Sequence, residues 1–386
     1  MIKKVSSPFV LPGTPGFCLL VASVTLSMNA CGGNANGTVD NGSKTDVADD
    51  LGLATDAADA FDTAFETAFD NIEDTGIPTD ASKDLETVTD AADAVDAITE
   101  IPADAAADAF VPPPEWATPY GCVSDPACPR VMVAAHRGFH RQHPENSLAG
   151  IRGAAAVGVD FSEVDVRETL DGVLVLMHDS NVDRTSDGTG DVSSLTWEQI
   201  LALTLDFDGA QDPDEVKIPL FSDALAAARS AGIALYVDQK TSNTDLVIQV
   251  VAEGNYWDVA MIRDDFPVIV GQVQKEPRLW VMPAIATAEE FQTVLENVPG
   301  LRIVELSLGS ADPVLTGIVR DAGIKVQQDV LGTGDLFLAF GDYTGWKAFI
   351  DAGVSLPQTD YPDFLVPAVR QYNETGIFPE TGPIPE

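Results

Sequence analysis

Val159-Asp160-Phe161-Ser162-Glu163-Val164-Asp165 is the stretch that decides the fold of this chain. It is short, carries Val159, Phe161 and Val164 among polar residues and closes on Glu163-Val164-Asp165, which is the pattern of a buried strand with a polar end. Between Asp165 and Val173 there is no room for a helix, and Asp171-Gly172 reads as a hairpin turn. The segment from Val166 to Phe221 is therefore expected to be an excursion rather than an ordinary strand–helix connection.

Seven further runs repeat the pattern: Val131–His136, Ile233–Asp238, Val259–Arg263, Leu279–Ala284, Ile303–Ser307, Ile324–Gln328 and Val354–Thr359. Helical patterns lie between them over Ser147–Val157, Ser222–Ala231, Ala288–Glu296 and Pro313–Ala322. Eight buried strands alternating with helices predict an α/β protein, a (β/α)8 TIM barrel whose excursion follows the second strand. The polar residues that end the runs are then expected at one mouth of the barrel.

Upstream of the barrel the texture is different. Met1-Ile2-Lys3-Lys4, the apolar stretch Phe17–Leu26 and Met28-Asn29-Ala30-Cys31 have the layout of a secretory signal over residues 1–31. The small residue before Cys31 and the two glycines after it resemble a bacterial lipoprotein signal, with plain secretion after Ala30 as the alternative. An extracytoplasmic address follows, with membrane contact only through an N-terminal lipid anchor at Cys31. Residues 32–115 carry 21 acids against two lysines and a near-repeat, Ala54–Ala60 returning as Val88–Ala94. Such a composition buries too little apolar surface to offset ordering entropy and predicts a disordered acidic tether. Phe61, Phe65, Phe69 and Ile72 are spaced for one helical stripe within it. The domain proper is placed at 116–386.

The net charge of −40 excludes nucleic acid as a partner, because a phosphate backbone demands a basic face. An anionic substrate would have to meet a few local cations or a metal ion. Cys122 and Cys128 lack zinc-site spacing. They read either as two thiols at a domain edge or, outside the cytoplasm, as a small-loop disulfide.

Three segments hold the candidate chemistry: Ala135-His136-Arg137-Gly138 with Pro144-Glu145-Asn146-Ser147, Glu163-Val164-Asp165 leading to His178-Asp179, and Asp238-Gln239-Lys240. Glu163 and Asp165, two apart on a strand, face the same side, and Asp238 ends the following barrel strand. Three carboxylates so close repel unless protonated or bound to a cation. Their hard oxygens favour Mg²⁺ or Ca²⁺. His136 and His178 suit general acid–base work on a phosphodiester, with Arg137 and Lys240 as the phosphate-facing cations. His140 and His143 lie in a polar loop and are given no part beyond mouth contacts.

Together these segments resemble the glycerophosphodiester phosphodiesterase family, over roughly Val131 to Pro362 and most strongly from His136 to Thr189. The resemblance implies a TIM barrel with a segment inserted after its second strand. It implies a divalent metal at Glu163, Asp165 and Asp238, catalytic histidines at His136 and His178, and phosphate contacts from Arg137 and Lys240. Family members release an alcohol and glycerol 3-phosphate, often by attack of the substrate's own neighbouring hydroxyl. Two departures stand out. Asp238 replaces the usual glutamate, and Gln327-Gln328-Asp329-Val330 replaces a Trp-Thr-Val-Asn segment near the seventh strand, although Thr359-Asp360-Tyr361-Pro362 is retained. The expected substrate is a small-molecule phosphodiester. Two alternatives are cleavage of lysophospholipid or sphingomyelin on the same barrel, as in related phospholipase D-type toxins, and a non-catalytic surface-binding lipoprotein.

Overall fold

A computed structural model describes residues 114–207, 213–307, 312–332 and 334–385. The signal segment and nearly all of the tether lie outside the described residues, as does the Phe61–Ile72 stripe. Among the described residues no helix is long and apolar enough to cross a membrane.

The strands are β1 Ala134–Ala135, β2 Phe161–Glu168, β3 Leu174–Leu176, β4 Ala234–Gln239, β5 Ala260–Asp265, β6 Trp280–Ile285, β7 Ile303–Leu306, β8 Lys325–Asp329 and β9 Leu356–Thr359. Eight of them run parallel in the order β1-β2-β4-β5-β6-β7-β8-β9, and β9 pairs back onto β1 to close the barrel. The ninth, β3, is antiparallel to β2 and begins the excursion. It carries its own small core of Val175, Met177, Val182, Val192, Ile200 and Leu205, among others. The expected barrel and its irregular second connection are both present.

Helices not read from the sequence complete the ring at Thr244–Glu253, Phe266–Lys275, Thr344–Ala352 and Pro362–Thr375. β1 is the shortest barrel strand, although its run was expected to span Val131–His136. The first residues of that run are tied elsewhere: the Val131 N–H donates to the Asn373 side chain and the Met132 N–H to the Ser355 carbonyl.

The period-2 alternation sorts the two sides of each strand. Val164, Val166, Leu235, Val237 and Val326 face the helices. Phe161, Tyr236, Met261, Trp280 and Met282 fill the barrel interior at its lower levels. Removing a side chain such as the fully buried Phe161 costs about 3–5 kcal/mol. The bottom of the barrel is stoppered by the segment before β1. There Trp116, Cys122, Val123 and Cys128 join the interior cluster, and Cys122 and Cys128 form a disulfide with Cα atoms 5.3 Å apart. Thr118 caps the short helix Pro119–Ser124 through its hydroxyl, which accepts from the Gly121 N–H.

Candidate active site

Along five of the inward-facing rows the residue type becomes charged towards the C-terminal end. Phe161 is followed by Glu163 and Asp165, Tyr236 by Asp238, Met261 by Arg263, Ile303 by Glu305, and Gln327 by Asp329. The barrel is thus a packed core below and a polar mouth above, where barrel sites are built.

Register brings the acids together. Asp165 of β2 lies opposite Asp238 of β4, and Glu163 one step below lies opposite Tyr236. One oxygen from each of Glu163, Asp165 and Asp238 falls within 4.8 Å of the other two. Glu163 Oε2 accepts from the Arg137 backbone N–H at 2.7 Å. Asp165 Oδ2 accepts from Asn146 Nδ2 at 2.8 Å, while Asn146 Oδ1 accepts from the Asp165 N–H at 2.9 Å. This two-way amide clamp fixes Asp165. The cap of the helix that follows is Ser147, whose hydroxyl accepts from the Gly150 N–H.

Burial, reinforced by repulsion from Asp165 and Asp238, pushes the Glu163 carboxyl well above the usual carboxylate range. Burial also opposes ionisation of Asp238, but Arg263 and Lys240 outweigh it and hold that carboxyl below its ordinary value. Lys240 Nζ lies 3.1 Å from Asp238 Oδ2 and 3.7 Å from Asp165 Oδ1. Arg263 was not singled out from the sequence. Its Nη1 donates to Asp238 Oδ1 at 3.3 Å, while its Nε and Nη2 fork onto Glu305 at 2.6 and 2.7 Å. Tyr236 donates to the same Glu305 carboxylate at 2.7 Å. The signal was available, since Arg263 ends an expected strand on its inward face.

His136 and His178 each rest on a carboxylate. His136 Nδ1 is 2.7 Å from Asp360 Oδ1, and His178 Nδ1 is 2.7 Å from Asp179 Oδ1. With Nδ1 engaged, Nε2 is the nitrogen each ring keeps for other partners. Asp179 is held in turn by Arg184, which forks onto both oxygens of Glu145 at 2.8 Å. That pairing outweighs burial and takes the Glu145 carboxyl down to about 2. Glu145 thus braces the first loop by tying it to the excursion. The Arg137 guanidinium lies beside the acids, 3.5 Å from Glu145 and 4.0 Å from Asp165. Arg137 takes a left-handed backbone (φ 49°), and Gly138 follows at φ 82°. A Cβ at Gly138 would meet the backbone of Gly150 at 2.9 Å, so only glycine lets this turn lie on the helix.

His140 was expected to have no more than mouth contacts. Its Nε2 in fact lies 2.9 Å from Asp360 Oδ1, the oxygen that His136 uses. His143 packs against Phe139 instead. A cavity of about 200 Å³ adjoins the site, lined in part by His140, Glu145, Arg184 and Phe207. A larger one, about 580 Å³, opens at the opposite end of the barrel beside Arg130 and Lys325, far from the acids and histidines.

Residues 136–283 match the model of the glycerophosphoryl diester phosphodiesterase family. Over 113 residues the chain is 43% identical to glycerophosphodiester phosphodiesterase 1 of Bos taurus, covering 29% of this chain and 34% of that protein. A second relative, glycerophosphodiester phosphodiesterase of Caldanaerobacter subterraneus, is 45% identical over 74 residues, 19% of this chain and 30% of that one. The chain therefore spans about a third of the length of these curated relatives. Among solved structures, a glycerophosphoryl diester phosphodiesterase from Parabacteroides distasonis superimposes with a TM-score of 0.56 at 22% identity, covering 67% of this chain and 96% of that chain. A phosphodiesterase of Oleispira antarctica, in complex with the product sn-glycerol-3-phosphate, gives 0.53 at 20% identity over 62% and 96% of the two chains. At these identities the two structures speak for the fold.

Proposed function

Because the barrel of this chain belongs to the glycerophosphoryl diester phosphodiesterase family, we propose that it hydrolyses glycerophosphodiesters to an alcohol and glycerol 3-phosphate. The observation that carries this reading is the convergence of Glu163, Asp165 and Asp238 with two carboxylate-backed imidazoles at one barrel mouth.

The acid trio fits a divalent cation, Mg²⁺ or Ca²⁺. Its oxygens are hard, they lie within reach of one ion, and the raised Glu163 carboxyl marks a site short of positive charge. Bound there, a divalent cation would neutralise charge on the phosphoryl oxygens during attack. The chain's own groups do the rest. Arg137 and Lys240 bind and orient the phosphate, and Lys240 bridges Asp165 and Asp238 until substrate arrives. One of His136 and His178 takes a proton from the attacking hydroxyl, and the other gives one to the leaving alcohol oxygen. Where the substrate's own hydroxyl attacks, water then opens the cyclic phosphate to glycerol 3-phosphate by the same two groups. Asp360 and Asp179 hold the rings with Nε2 directed away from the carboxylate. The enzyme is placed outside the cytoplasm on its tether, a reading supported by the signal-like first 31 residues and by the disulfide.

A second reading, cleavage of a lysophospholipid, is favoured by one feature. Leu336, Phe337 and Phe340 are exposed on the turn that follows β8, a short apolar lip beside an otherwise polar mouth. The deciding assay gives the full chain a panel of glycerophosphodiesters and lysophospholipids with Mg²⁺ or Ca²⁺, and measures the head-group alcohol released from each, together with glycerol 3-phosphate from the diesters. Release from the water-soluble diesters is expected. Failure with every diester while a lysophospholipid is cleaved would replace the first reading by the second.

A further inference from the structure

His136, His140 and Asp360 converge in a way the proposed reaction does not need. General acid–base work needs one imidazole on one carboxylate, yet two imidazoles share a single oxygen here. His136 Nδ1 and His140 Nε2 lie 2.7 and 2.9 Å from Asp360 Oδ1, with the two rings nearly perpendicular at 86°. Each residue offers one ligand atom, all within 4.8 Å of one another. The sequence joins them from two places, a loop after β1 and the end of β9, so the fold and not a local repeat builds the cluster.

We propose that His136, His140 and Asp360 form a second metal site, selective for Zn²⁺ or a similar borderline-soft cation, whose occupancy switches the enzyme off. The donor chemistry sets the selectivity. Two imidazoles and a carboxylate suit zinc, whereas the all-oxygen trio of Glu163, Asp165 and Asp238 suits Mg²⁺ or Ca²⁺. The geometry needs little change. Zinc ligands at about 2.0–2.1 Å in a tetrahedron stand roughly 3.3 Å apart, so each nitrogen would move about half an ångström from the carboxylate oxygen it now contacts. Access is open, since the His140 and Asp360 side chains are 29% and 26% exposed, which lets an ion enter and water complete its coordination. The carboxylate ligand is held in place from behind. Asp335 lies directly behind, its Oδ2 accepting from the Asp360 N–H at 2.9 Å.

The functional consequence, which rests on the proposed reaction, follows from the tautomer. With Nδ1 on zinc, the neutral His136 ring carries its proton on Nε2. It can no longer accept a proton there, and it has lost the carboxylate that would stabilise an imidazolium. Either role in the reaction is blocked.

The test separates binding from turnover. Zn²⁺ is titrated calorimetrically into the full chain in saturating Mg²⁺, with His140→Gln, His143→Gln and Glu163→Gln in parallel. One zinc ion bound by the wild type, weakened tenfold or more in His140→Gln and unchanged in the other two, is expected. Equal binding in His140→Gln, or loss in Glu163→Gln, overturns the site and places zinc elsewhere or on the acid trio. Co²⁺ in place of Zn²⁺ should give the visible bands of a four-coordinate ion in the wild type and not in His140→Gln. In the activity assay zinc should slow the wild type while His140→Gln keeps its own zinc-free rate. Zinc inhibition that survives His140→Gln overturns the switch even if the site binds. Because the calorimetry does not require turnover, an inactive preparation would count against the proposed reaction and leave the binding result standing.

Discussion

Asp165 and Asp238 stand opposite each other in register on neighbouring parallel strands, both facing the barrel interior. With Glu163 beside them, this pairing concentrates negative charge that three nearby cationic side chains, Lys240, Arg263 and Arg137, offset in part. Arg263 is largely committed to Glu305. The proposed divalent cation would supply the positive charge that these shared side chains do not.

Chelator should accordingly abolish diester hydrolysis, and Mg²⁺ or Ca²⁺ should restore it. Glu163→Ala and Asp238→Ala should each weaken metal binding in a direct titration. Asp238→Glu should keep most activity, since the longer side chain still reaches the trio. Full activity in excess chelator, or an unaffected Glu163→Ala, would sink the metal-dependent mechanism.

The two histidines should separate from the metal. His136→Ala and His178→Ala are each expected to lower turnover by about 10²-fold or more, the usual worth of a positioned proton-transfer group, while Mg²⁺ or Ca²⁺ affinity at the acid trio persists. A parallel fall in that affinity would show that the imidazoles serve the same ion as ligands instead.

Asp264, next to Arg263, gives a pH signature in the stability of the fold. Burial raises its carboxyl to about 6, against partial relief from the Asp265 N–H and Arg263. The folded state thus holds this proton more tightly than the unfolded chain does. Its effect is nil below about pH 4, where both states are protonated, and stability falls as pH rises towards 6. Asp264→Asn removes that cost. Thermal melts should show the variant higher than wild type by a few degrees near pH 8 and equal near pH 4, at about 2–4 °C per kcal/mol for a domain of this size. An equal gain at both values would show that the carboxyl is not the cause.

Much of this was legible in the sequence, for a physical reason. Glu163, Asp165 and Asp238 lie at polar ends of apolar runs, and strand parity alone places all three inside the mouth. Arg263 obeyed the same parity and was within reach of the same argument. The pairing of His136 with Asp360 was not, because 224 residues separate them and only closure of β9 onto β1 brings them together. His140 sits in a loop with no period to say which way it points. The stopper formed by Trp116, Cys122 and Cys128 was equally hidden, since its apolar residues are too few to announce a packed element.

That stopper makes a stability prediction. Closing the short loop between Cys122 and Cys128, six positions apart, is worth about 2 kcal/mol on the chain-entropy account. Reduction, or Cys122→Ser with Cys128→Ser, should lower the melting temperature by several degrees. The site lies at the other end of the barrel, so kcat measured well below the melt should not change. A large loss of kcat at that temperature would mean that the bottom of the barrel communicates with its mouth.

The apolar lip decides between the two substrate readings. Leu336, Phe337 and Phe340 are 44%, 43% and 79% exposed on the turn after β8. The same turn begins with Asp335, which accepts from the Asp360 N–H and from the Thr359 hydroxyl, so the lip is anchored next to the partner of His136. A water-soluble glycerophosphodiester has nothing to lay on these side chains. An acyl chain does, and burying each of them fully would be worth about 1.5–3 kcal/mol. Replacing all three by serine should therefore leave kcat/KM for glycerophosphocholine within about twofold of wild type. For lysophosphatidylcholine the same change should lower kcat/KM by at least tenfold if the lip receives the chain, since even partial burial of three residues exceeds the 1.4 kcal/mol that a factor of ten requires. We expect glycerophosphocholine to be the better substrate in the wild type and the triple variant to retain it. A wild type that prefers lysophosphatidylcholine, with that preference lost in the variant, would establish the lipid reading in its place.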